Sequence, residues 1–134
     1  MKIISIIPAR GGSKGISKKN IKKFLNLPLV THSINYSKTS KKIINTYVTT
    51  DDPEIKKISE ESGAQVIIRP KNISGDTATT ESAINHALLN IDVEPDIIIL
   101  LQPTSPFRPY GSLDKAIDHF TINQYDSLLT MLLQ

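Results

Sequence analysis

Three glycines, at positions 11, 12 and 15, and two cations, Arg10 and Lys14, follow directly on the apolar run Ile3 to Ile7. Backbone that carries no side chains can turn successive N–H groups inward around phosphate oxygens, while a neighbouring guanidinium and ammonium supply countercharge. The stretch Pro8 to Asn20, which reads Pro-Ala-Arg-Gly-Gly-Ser-Lys-Gly-Ile-Ser-Lys-Lys-Asn, is therefore a candidate phosphate-gripping loop. Glycine content alone fits a plain flexible turn equally well. The string has neither the glycine-lysine-hydroxyl ending of a P-loop nor the G-x-G-x-x-G spacing of a dinucleotide fold, which argues against a GTPase and a nicotinamide-dependent dehydrogenase.

Three further places carry side chains able to do chemistry. Asp52 before Pro53 is a helix start, with the carboxylate capping free N–H groups and proline in the first turn. Asp51 is left with an open polar role, and the pair is not read as a metal site. Arg69 stands out because the chain holds thirteen Lys and only three Arg; a guanidinium binds phosphate or carboxylate through two parallel bonds. Downstream of it, Thr79 and Thr80 can line a pocket, cap the next helix, or do both. In Gln102-Pro103-Thr104-Ser105-Pro106-Phe107-Arg108 two prolines stiffen a turn that holds the Gln102 amide, a donor and an acceptor, toward a base, ribose or sugar. Arg108 either contacts a ligand or anchors that turn. His32, His86 and His119 fall in helical patterns without ligand spacing and are discounted as metal ligands.

These residues need elements to position them. Ile3 to Ile7, Thr46 to Thr50, Gln65 to Ile68 and Asp96 to Leu101 are short runs rich in Ile, Val and Leu, several without polar alternation, as in strands buried on both faces. Helical patterns lie between them. Leu113, Ala116, Ile117 and Phe120 recur at i, i+3, i+4 and i+7, and a second stripe runs through Ala83, Ile84, Ala87 and Leu88. Two more helices are expected at Leu29 to Ser37 and Pro53 to Ser62, and a last strand at Ser127 to Leu132. Alternation of this kind predicts an α/β fold, a three-layer sandwich around a mainly parallel sheet, with residues 1–134 as a single nucleotide-binding domain. Ligands of such sheets bind beyond the carboxyl ends of the strands. The loop from Pro8, the Thr50 to Asp52 segment and the Gln102 turn all fall there.

Composition bounds the partners. Residues 1–50 hold ten Lys or Arg and no acid, and residues 51–134 hold six basic and thirteen acidic side chains. A cationic half containing a glycine-rich loop concentrates a polyanion such as a nucleoside triphosphate. Solvated lysines explain most of that charge as well, and with few aromatics among them they make no case for nucleic acid. The chain has no cysteine, hence no disulfide, thiolate nucleophile or thiolate metal site. The first apolar run is too short to cross a bilayer and Pro-Ala-Arg-Gly-Gly is no signal-cleavage site, so a cytoplasmic protein away from membranes is expected.

The whole N-terminal string resembles the signature of acylneuraminate cytidylyltransferases, the CMP-sialic acid synthetases and their legionaminate and pseudaminate relatives. Arg10, Ser13, Lys14, Gly15, Lys19 and Asn20 match that pattern position by position. Thr49 to Asp52 is similar to the family's Ser-Thr-Asp-Asp, Arg69 with Asp76 to Thr80 to its pocket-lining segment, and Leu100 to Arg108 to its Leu-Gln-Pro-Thr-Ser-Pro-Leu-Arg. Serine stands in some relatives where this chain has Ala78, which leaves only backbone to bond there. The chain lacks the Arg-Leu-Pro-Gly-Lys continuation of ketodeoxyoctulosonate cytidylyltransferases, which favours the nonulosonate branch.

The resemblance implies a Rossmann-like nucleotide-diphospho-sugar transferase fold and transfer of CMP from CTP to an acidic nine-carbon sugar, with release of pyrophosphate. It implies Arg10 and Lys14 as catalytic groups on the triphosphate and Mg²⁺ as cofactor. It assigns nucleotide contacts to Ala9, Arg10, Gly11, Gly12, Ser13, Lys14, Asn20, Arg69, Ala78, Thr80 and Gln102. Family members are longer, and their further part carries the metal-binding aspartates, sugar-contacting basic residues and much of a homodimer interface. The 134-residue chain is accordingly expected to bind nucleotide and to turn over poorly or not at all. Two alternatives stay open: a non-catalytic nucleotide-binding or interaction module, and an enzyme for a different nucleotide. The choice among N-acetylneuraminate, legionaminate and pseudaminate is not made by these residues.

Overall fold

A computed structural model describes residues 1–11, 23–70, 80–103 and 112–123; of Thr80 and residues 121–123 it describes the backbone alone. Strand β1 (Ile3–Pro8) is followed by two short strands, β2 (Lys23–Phe24) and β3 (Leu27–Pro28), and by helix α1 (Leu29–Lys38). Then come β4 (Ile43–Thr50), α2 (Pro53–Glu61), β5 (Gln65–Ile68), α3 (Thr80–Leu89), β6 (Ile97–Leu100) and α4 (Ser112–Asn123). The long strands form one sheet in the order β5-β4-β1-β6, with every pairing parallel.

β1 lies inside the sheet, and its Ile3, Ile4, Ile6 and Ile7 are all buried. Successive side chains point to opposite faces, so a strand covered on both sides needs apolar residues at nearly every position. On one face Ile7 and Val48 pack with Val30 and Ile34 of α1 and Ile55 of α2. Ile3 meets Leu113 and Ile117 of α4 on that side. On the other face Ile4, Ile6, Tyr47 and Ile67 pack with Ala87 of α3. Each fully buried isoleucine contributes about 1.5–3 kcal/mol relative to exposure. The polar break in β1, Ser5, is satisfied by a chain of hydroxyls: Ser5 Oγ meets Ser37 Oγ at 2.6 Å, and Ser37 Oγ meets Thr46 Oγ1 at 2.7 Å.

The expected α/β architecture, with its four parallel strands and four helices, is present with shifted ends, but only β1 is buried on both faces throughout: Ile68 of β5 and Ile98 and Leu100 of β6 are exposed. β4 starts at Ile43, three residues before the run that marked it, with Ile44 exposed and Ile43 and Asn45 partly buried. α3 stops at Leu89 and α4 reaches Asn123. The strand expected at Ser127 to Leu132 lies outside the described residues. The β2–β3 hairpin was not anticipated: each strand has two residues, and the turn uses Leu25 (φ 49°) and Asn26 (φ 69°), not Asn-Gly. His32 of α1 fixes it, with Nε2 2.5 Å from the Phe24 carbonyl oxygen and its ring edge-on to that of Phe24.

α4 is tied to the α1–β4 connection. Ser40 Oγ donates to Asp114 Oδ1, the Lys41 N–H to Asp114 Oδ2, Tyr36 and Ser112 share a hydroxyl bond, and Lys42 pairs with Asp118. Burial alone would raise the Asp114 carboxyl, but the Ser40 and Lys41 donors and the nearby lysine charges hold it below its ordinary value. No helix among the described residues is long and apolar enough to cross a membrane.

Candidate functional site

The order β5-β4-β1-β6 defines a topological switch. From β1 the chain moves outward through β4 to β5, then returns to the other side of β1 as β6. Ligands of such sheets bind outside the carboxyl ends of the strands at the switch, which here are Ala9–Gly11, beyond β1, and Leu101–Pro103, beyond β6. Arg69 after β5, Asp51 after β4, Arg10 and Gly11 after β1 and Gln102 after β6 thus form one row along this edge of the sheet. With strands about 4.8 Å apart, the row extends roughly 14 Å.

Backbone bonds carry the sheet into that edge. Ala9 N–H donates to the Thr49 carbonyl at 3.0 Å, Leu101 N–H to that of Ile6 at 3.0 Å, and Arg69 N–H to that of Thr50 at 2.8 Å. Gly11 N–H then donates to Asp51 Oδ1 at 2.9 Å. Asp52 caps α2, with Oδ1 accepting from Glu54 N–H at 2.8 Å, and Pro53 occupies the first turn, as its sequence context predicts. Gly11 lies so close to Asp52 that a Cβ on it would come within 2.5 Å of Asp52 Oδ2.

Arg69 is buried, at 5% exposure. Its Nη2 donates to the Thr49 carbonyl oxygen at 3.2 Å, and its Nε is buried without a hydrogen-bond partner. Burial pushes this guanidinium below the ordinary arginine value; the Asp51 carboxylate pulls it back up, and the Arg10 charge lowers it further. A buried cation with an unsatisfied donor beside a second cation suits an anion, because unpaired donors in low dielectric are costly.

Of the other predicted site residues, Ala9 is buried at the end of β1 and Gln102 is exposed beyond β6, next to the buried Pro103. Thr80 opens α3. Gly12, Ser13, Lys14, Asn20 and Ala78 lie outside the described residues, as do Thr79 and Arg108. The contact between Asp51 and Gly11 was not foreseen, since nothing in local sequence says which backbone a strand-end carboxylate will meet 40 positions away.

Asp51 and Asp52 each give an oxygen to a backbone N–H, and among the described residues no three His, Cys, Asp or Glu side chains lie together as metal ligands would.

Residues 4–133 match the family model described as Cytidylyltransferase. The chain is 36% identical over 131 residues to an N-acylneuraminate cytidylyltransferase of Escherichia coli, covering 97% of this chain and 31% of that protein. It is 35% identical over 128 residues to a pseudaminic acid cytidylyltransferase of Campylobacter jejuni, covering 92% of this chain and 55% of that protein. A solved CMP:2-keto-3-deoxy-manno-octonic acid synthetase in complex with CTP shares the fold, with a TM-score of 0.80 at 21% identity over 92% of this chain and 49% of that one. The chain thus spans 31% to 55% of the length of these two sequence relatives.

Proposed function

Because the chain belongs to the cytidylyltransferase family, we propose that it forms the CTP-binding part of an enzyme that transfers CMP from CTP to a sialic-acid-like nonulosonate in the cytoplasm. The observation that carries this reading is the buried Arg69 guanidinium at the carboxyl edge of the sheet, with its unpartnered Nε and Arg10 close enough to perturb it. A row of polar groups about 14 Å long accommodates an extended nucleotide with phosphates toward the cations and the nucleoside toward Gln102.

In the proposed reaction an anomeric hydroxyl oxygen of the sugar bonds to the α-phosphorus of CTP. The bond from that phosphorus to the bridging oxygen breaks, pyrophosphate leaves with the bond's electrons, and the hydroxyl proton passes to solvent. Such a transfer depends chiefly on alignment and on neutralising charge that builds on the phosphate oxygens. Arg10 and Lys14 would supply that neutralisation, Arg69 would hold a phosphate or carboxylate, and Asn20 and Gln102 would orient the nucleotide. Mg²⁺ is proposed as a companion of the triphosphate; no step is assigned to it.

Calorimetric titration of this polypeptide with CTP, ATP and GTP in the presence of Mg²⁺ tests the reading. Selective CTP binding supports it. Equal binding of GTP points to a different nucleotide substrate, and absence of all three leaves an interaction module.

A further inference from the structure

In the parallel ladder between β1 and β4, Ala9 N–H donates to the carbonyl oxygen of Thr49. The next N–H on that side of the chain belongs to Gly11, and an unbroken parallel ladder would give it the carbonyl of Asp51. The chain has by then begun its turn into α2, and the acceptor is instead the Asp51 carboxylate, Oδ1, at 2.9 Å. A side chain thus takes the place of the backbone acceptor at Gly11.

This bond is built on a fixed base. Asp52 N–H donates to Thr50 Oγ1 at 3.2 Å, and Asp52 Oδ1 caps α2 through Glu54 N–H. Gly11 is seated against Asp52 at a distance that leaves no room for a Cβ. A carboxylate here works against a phosphate ligand by simple repulsion, worth about 1 kcal/mol at 4 Å even in bulk water. If charge alone mattered, removing it would tighten anion binding.

We infer that Asp51 is a positioning residue for the nucleotide site: its carboxylate oxygen holds the peptide of Gly11, the first glycine after β1, in place at the edge of the sheet. The inference rests on the CTP-binding reading above. Asp51 touches neither phosphate nor sugar in this role; it acts through Gly11.

The test compares Asp51→Ala, Asp51→Asn and Asp51→Glu in this polypeptide by calorimetric CTP titration, with the Gly11 amide resonance as a second readout. Asn keeps an oxygen where Oδ1 stands and removes the charge; Glu keeps the charge and displaces the oxygen by a methylene. Asp51→Ala and Asp51→Glu are expected to bind CTP about tenfold more weakly, the ratio that one hydrogen bond commands. Asp51→Asn is expected to stay within about threefold of the parent, and the Gly11 amide to shift upfield in the alanine and glutamate variants. Parent-like or tighter binding by the alanine variant overturns the inference, as does an asparagine variant as weak as alanine. Should the alanine variant fail to fold, the asparagine and glutamate variants decide: Asp51→Glu binding like the parent overturns it. A parent chain that binds none of CTP, ATP and GTP overturns the CTP-binding reading and this inference with it.

Discussion

Arg69 reaches across from the end of β5 to donate through Nη2 to the carbonyl oxygen of Thr49, in the neighbouring strand β4, at 3.2 Å. One bond to a neutral carbonyl does not satisfy a buried guanidinium, and Nε is left without a partner. The fold therefore holds a cation whose burial is incompletely compensated.

Replacing this cation with an apolar side chain of similar length separates fold from function. Asp51 keeps its bond to Gly11 N–H, so Arg69→Met leaves no newly orphaned group at that position. The unliganded variant is expected to melt no lower than the parent, while CTP affinity falls at least tenfold, in line with about 1.5–3 kcal/mol for a hydrogen bond to a charged group. Thermal melts with and without CTP check both halves. A lower melting point with unchanged affinity would make Arg69 a structural residue.

The hairpin turn carries a removable cost. Leu25 adopts φ 49° and is 66% exposed, so it bears the penalty of left-handed backbone without burying its side chain. Leu25→Gly is expected to raise stability by about 0.5–1 kcal/mol, because the steric relief of about 1–2 kcal/mol exceeds glycine's greater entropy in the unfolded chain. Asn26→Gly, at φ 69°, gains less, since asparagine tolerates this region. Urea titration reads the result as a higher midpoint at unchanged slope; a fall in midpoint for Leu25→Gly would refute it.

Asp114 predicts a pH signature. Its carboxyl titrates below the ordinary value in the folded chain, so its contribution is complete above the unfolded carboxyl value and disappears as pH falls through the folded one. The stability difference between the parent and Asp114→Asn is expected to be constant near neutral pH and to shrink below about pH 4. The amplitude is small, because solvent screens the pair. Denaturant midpoints at several pH values for both proteins test it, and a difference that grows on acidification would reverse the sign of the argument.

The inner strand was legible because burial on both faces leaves an Ile-rich run, as Ile3 to Ile7 shows; β6 is as Ile-rich although Ile98 and Leu100 are exposed. The cap at Asp52 was legible because its donor, Glu54 N–H, is two residues away. Strand order was not legible: placing β6 beside β1 depends on which helix covers which face, through pairs such as Ile6 with Ala87 that are far apart in sequence. The sequence brings the Pro8 loop, the Thr50 to Asp52 segment and the Gln102 turn to one edge of the sheet, but only the strand order places Asp51 between Gly11 and Arg69. The β2–β3 hairpin escaped because two-residue strands carry no periodicity and Leu-Asn is an uncommon sequence for a turn that needs positive φ at both positions.

The seat of Gly11 against Asp52 yields a prediction that distinguishes steric fit from charge. A Cβ at position 11 would stand 2.5 Å from Asp52 Oδ2 and 2.8 Å from Asp52 Cβ. A carboxylate can swing away, but a Cβ moves only with its backbone, which here is the cap of α2. Gly11→Ala is therefore expected to cost about 1–3 kcal/mol, the usual range for overpacking. Asp52→Ala removes the carboxylate and leaves the 2.8 Å obstacle, so in that background the cost of Gly11→Ala persists. Asp52→Gly removes both atoms, and there the cost falls by about 1 kcal/mol or more, a coupling that a double-mutant cycle measures. Relief in the Asp52→Ala background as large as in Asp52→Gly would show that the carboxylate alone sets the contact, and that the backbone of β1 is free to move away from α2.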